Sequence, residues 1–62
     1  MNCQQYLELR ANAIIRNRTW LIPSIMYYYN ECKKGRLSAM EIESTVSMIA
    51  DELFADSDFI TV

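Results

Sequence analysis

Three features of the chain predict an all-α fold, a small three-helix bundle made of a helical hairpin and a third helix. Apolar residues recur at helical spacing through most of the 62 residues. The only proline and the only glycine stand at Pro23 and Gly35, where each suits a helix boundary. Ser38-Ala39-Met40-Glu41 spells a capping box, the strongest helix start in the chain. An all-β chain would need many turns and more of both breakers. The expected helices cover about 3–18, 20–34 and 39–54 of a single domain 1–62, with a short tail at 55–62.

In the first helix Asn2 is a suitable cap. Cys3, Leu7, Ala11 and Ile14 form one apolar stripe with Ile15 on its edge, and Tyr6, Leu9 and Ala13 form a second. A helix apolar on two sides is expected between two neighbours. Arg16, Asn17 and Arg18 suit a C-terminal end, because cations favour the negative pole of the helix dipole. Two boundaries compete. Thr19 caps a second helix with Pro23 in its first turn, the favoured reading, or the first helix runs on to about Ile22 and Pro23 opens the next.

The second helix contains the most apolar window of the chain, Trp20 to Tyr29. Tyr28, Leu21, Cys32, Ile25, Tyr29, Ile22 and Met26 span about 160°, wider than the roughly 100° of an ordinary surface helix. Trp20 and Tyr27 fall outside that stripe. Lys33 and Lys34 occupy the last turn before Gly35, a left-handed C′ candidate. In the third helix Leu37 and Ile42 make a hydrophobic staple, and Ile42, Val46, Ile49, Ala50 and Leu53 form a clean stripe that leaves out Met40, Met48 and Phe54.

A chain this short buries only about 60% of its unfolded surface, and small domains commonly need a staple or a second copy. With 52% of residues hydrophobic, a homodimeric helical bundle is the expected remedy. Charge is unevenly spread. Residues 1–37 hold all six basic groups against Glu8 and Glu31, a net of +4, while residues 38–62 hold six acids and no base. Such polarity bears on association rather than fold.

Catalysis is not expected. There is no histidine to activate Cys3, Cys32 or a serine, and no glycine-rich phosphate loop. Glu41, Glu43, Asp51, Glu52, Asp56 and Asp58 read as a solvated face. No metal, cofactor or small-molecule substrate is expected, since two cysteines cannot complete a structural zinc site and Asp56-Ser57-Asp58 lacks the rest of a calcium loop. No signal peptide or membrane span is expected either, which points to a cytoplasmic protein with reduced thiols. A Cys3–Cys32 disulfide is the sharper alternative: if the hairpin turns near 17–18 the two positions lie level, and the bond would contribute roughly 3 kcal/mol.

The expected activity is therefore binding, as a small regulatory protein that contacts itself or inhibits or modulates another protein. Trp20, Tyr27, Met48 and Phe54, off the core stripes, are the interface candidates, because exposed aromatics and methionines typify interface centres. The competing expectation is a dimeric nucleic-acid regulator using Arg10, Arg16, Arg18, Lys33, Lys34 and Arg36 near the hairpin ends, although the acidic balance argues against it. Size and lack of catalytic chemistry resemble accessory proteins of phages and mobile elements, a fold-level analogy. Ile15-Arg16, Thr19 and Ala50-Asp51-Glu52-Leu53-Phe54 are similar to stretches of the Rop helical-hairpin dimers, which bind paired RNA loops, but Pro23 and the turn at Gly35 depart from that pattern. Tyr6-Leu7 and Leu37-Ser38 resemble parts of the Hha nucleoid regulators at a different spacing. Each likeness covers a handful of residues and assigns no family.

Overall fold

The computed structural model describes residues 2–55. They form α1 (Gln4–Ile15), a 3₁₀ turn (Thr19–Leu21), α2 (Ile22–Lys33) and α3 (Ala39–Leu53), with no strand among the described residues. The fold is a small all-α three-helix protein. α1 and α2 make an antiparallel hairpin. α3 then returns along α1, so that its end lies beside the α1–α2 turn.

The same device ends both hairpin helices. Asn17 takes φ 58°, and the amides of Asn17 and Arg18 donate to the carbonyls of Ile14 and Ala13 at 3.1 and 2.8 Å. Gly35 takes φ 74°, and the amides of Gly35 and Arg36 donate to Cys32 and Glu31 at 2.9 and 3.0 Å. Both are Schellman closures, which need a left-handed residue that asparagine and glycine tolerate best. Of the two boundaries the sequence allows, the chain turns at 16–18. Pro23 falls in the first turn of α2, where its missing amide costs nothing. At the other end of α1 the Asn2 side chain accepts the Gln4 amide at 3.0 Å. At the start of α3 Ser38 Oγ accepts the Glu41 amide at 3.2 Å, and Glu41 Oε1 accepts the Ser38 amide at 2.8 Å, completing the capping box.

The core consists of Tyr6, Leu9, Ala13, Leu21, Ile25, Cys32, Ile42, Ile49 and Leu53. For α2 and α3 these are the stripes the spacing predicts. For α1 they are one of the two predicted stripes. The second patch, Tyr6, Leu9 and Ala13, is buried, whereas Ala11 is exposed and Ile14 and Ile15 are 54% and 79% accessible. α1 is therefore covered on one side only among the described residues. The reason is Tyr6. Its ring stacks on Tyr28 with centroids 6.4 Å apart, and its hydroxyl lies 2.6 Å from Thr45 Oγ1. Thr45 directs its own hydroxyl at the carbonyls of Glu41 and Ile42, so Tyr6 is the donor. Burying Tyr6 removes more surface from water than burying an isoleucine and satisfies the phenol as well.

A disulfide joins Cys3 to Cys32, whose Cα atoms are 5.7 Å apart. The reduced pair expected from a cytoplasmic setting is thus replaced by a clasp across the open end of the hairpin. The turn at Asn17 brings positions 3 and 32 level, which places the two thiols within bonding reach.

Leu9→Ala should destabilise the monomer by about 2–5 kcal/mol, whereas Ile15→Ala should change the monomer's stability by less than about 0.5 kcal/mol. Urea unfolding followed by circular dichroism compares the two, and equal losses would mean that α1 is turned the other way. Replacing both cysteines by serine removes a link across 29 positions and should cost roughly 3–4 kcal/mol. The melting temperature of this variant should no longer respond to reductant.

Candidate functional site

α2 and α3 each pack on α1 and meet one another only sparsely. The seam between them stays open and is divided by Tyr28. On one side lies a groove of about 370 Å³ lined by Leu21, Ser24, Tyr28, Met48, Ile49 and Glu52. On the other lies one of about 350 Å³ lined by Tyr28, Leu37, Met40, Glu41, Ser44 and Thr45. Helical spacing builds both walls. Met40, Ser44, Met48 and Glu52 recur every four residues on α3, and Ser24 and Tyr28 do so on α2. Tyr28 is held from two directions, stacked on Tyr6 beneath and met edge-on by Tyr27 at 5.3 Å and 75°. The lining is mostly apolar, with small hydroxyls from Ser24, Ser44 and Thr45.

The four candidate interface residues are all exposed, from 42% for Phe54 to 61% for Trp20, but they do not form one patch. Met48 lines the larger groove, and Tyr27 backs its dividing ring. Trp20 sits in the 3₁₀ turn and lines neither groove. Phe54 lies on the α1 flank of α3, where the Arg16 guanidinium covers its ring at 4.5 Å, a cation–π contact. Sequence reasoning missed Tyr28, which it placed wholly in the core, and Met40 with Ser44. The repeat of Met40, Ser44 and Met48 at intervals of four was the available signal for the α3 wall.

The basic residues are divided between the two ends of the hairpin. Arg16 covers Phe54, and Arg18 Nη2 donates to the Ala55 carbonyl at 3.2 Å, where cations favour the end of α3. Arg18 Nε is buried and finds no hydrogen-bond partner among the described residues. At the opposite end Arg36 pairs with Glu31 at 3.7 Å, and the Lys33 ammonium lies 6.0 Å from the Tyr29 ring. Lys34 is exposed beside them, and Arg10 is exposed midway along α1. These groups make no continuous stripe, and none of the six lines the seam.

Cys3 and Cys32 are consumed by their disulfide. Among the described residues no three cysteine or acidic side chains converge as a metal site, and no helix is long and apolar enough to cross a membrane. Asp56, Asp58 and the apolar tail segment 59–62 lie outside the described residues. No protein-family model, curated protein or solved structure matches the chain, so its functional reading rests on the open seam and the aromatic and methionine side chains around it.

Proposed function

We propose that this is a non-catalytic binding protein, acting through protein–protein contacts to modulate or inhibit a partner. The observation that carries the reading is the apolar seam on either side of Tyr28, with Tyr27 and Met48 exposed beside it. Apolar grooves bordered by methionine and aromatic side chains suit the centres of interfaces, where a few buried anchors supply most of the affinity. Small accessory proteins of phages and mobile elements work in this manner, and the analogy extends no further than size and fold class.

Self-association has a separate surface. Leu7, Ala11, Ile14 and Ile15 leave an apolar stripe on the outer side of α1, with the small Ala11 near its centre. A second copy packed helix against helix there would form the homodimer and leave the seam open. As for setting, an oxidising compartment suits the Cys3–Cys32 bond better than a cytoplasm, which keeps most thiols reduced.

Changing Trp20 and Tyr27 together to alanine should abolish association with a partner while leaving self-association and the far-ultraviolet circular dichroism unaltered. Unchanged partner capture would reject the aromatic face as an interface. Ile14→Lys with Ile15→Lys should convert a dimer to a monomer in sedimentation, because it places charge at the centre of the proposed contact. A low-salt mobility shift of RNA or DNA that weakens steeply with salt and is lost on Lys33→Glu with Lys34→Glu would replace this reading with nucleic-acid binding.

A further inference from the structure

We infer that the α2–α3 seam seats one amphipathic helix of another protein, with two apolar anchors seven residues apart and lysine or arginine along its flank. The inference rests on the protein-binding reading above and names the occupant of that face. Three observations lead to it.

The first is spacing. The α3 residues lining one groove are Met48, Ile49 and Glu52, and those lining the other are Met40, Glu41, Ser44 and Thr45. The two sets are centred about seven positions apart, or about 10 Å along the helix axis at 1.5 Å per residue. Side chains at i and i+7 of a helix laid along the seam share that separation and project from one face. Tyr28 stands between them as the divider.

The second is capacity and adaptability. At about 370 and 350 Å³, each groove has room for one large apolar side chain. Met40 and Met48 border them on exposed, flexible thioethers that can settle around different anchors.

The third is charge. Among the described residues, Glu41 and Glu52 are the only charged side chains lining the seam. Two copies of the chain meeting face to face here would set acid against acid with no basic residue to relieve them. A basic helix meets the opposite situation, and its charges would also hasten encounter.

The test uses the full chain with its disulfide intact and two fluorescent helical peptides. Both carry leucines seven positions apart, one flanked by lysine and the other by glutamate. Anisotropy should show the lysine peptide binding at low salt and the glutamate peptide at least about tenfold weaker. Glu52→Lys should erase that preference, because it leaves one acid and one base along the seam, and Met40→Lys with Met48→Lys should remove binding without loss of helicity. Equal affinity for both peptides, or binding indifferent to the methionine changes, overturns the inference. So does failure of both peptides. If they fail while Ile14→Lys with Ile15→Lys still converts a dimer to a monomer in sedimentation, the occupant is wrong and the protein-binding reading stands. If that variant also leaves the sedimentation mass unchanged, both fall.

Discussion

All three helices converge on Tyr6. Its ring belongs to α1, stacks on Tyr28 of α2, and its hydroxyl bonds Thr45 of α3. Such a side chain fixes rotation as well as burial, because turning α1 by even one position would withdraw the ring from one neighbour and the hydroxyl from the other. Much else follows from that rotation. Leu9 and Ala13 face inward with Tyr6, while Ala11, Ile14 and Ile15 face outward. Tyr28 is held from below and so can stand as a firm wall between the two grooves.

The hairpin register depends on a second constraint, the left-handed residue at each helix end. Asn17 and Gly35 allow closures of identical pattern, and the first of them brings Cys3 level with Cys32. The disulfide therefore rests on a register already specified by local backbone chemistry. It closes the end of the hairpin farthest from the turn, where fraying would otherwise begin. The opposite end is held differently, by Arg16 and Arg18 reaching to the last residues described beyond α3.

The sequence discloses the parts of this structure that local chemistry decides. The capping box at Ser38, the glycine closure at Gly35 and the core stripe of α3 are all readable from residue type and spacing, since each involves neighbours along the chain. The α1 face is not readable in that way. Leu7, Ala11 and Ile14 make a periodic pattern as good as that of Tyr6, Leu9 and Ala13, and contacts across the fold, with Tyr28 of α2 and Thr45 of α3, decide between them. The seam was hidden for a related reason. Periodicity separates core from surface within one helix but does not report how closely two helices approach, so Tyr28 counted as core alone. Trp20 and Phe54 were legible as exposed residues, but their separation in space was not.

Tyr28 belongs to two systems at once, and that shared membership restricts how the chain can vary. Its lower contact is with Tyr6 at the centre of the protein, and its upper surface divides the two grooves. If the seam binds as proposed, a change at Tyr28 would alter folding and recognition together, and few substitutions could serve both. Met40, Ser44 and Met48 carry no such double duty, being exposed on α3 away from the core. Diversification of the proposed binding face should accordingly be concentrated on α3, with the α2 tyrosine kept constant. A chain of this size thus has an evolvable wall and an immobile one, and new specificities would arise by redrawing the first against the second.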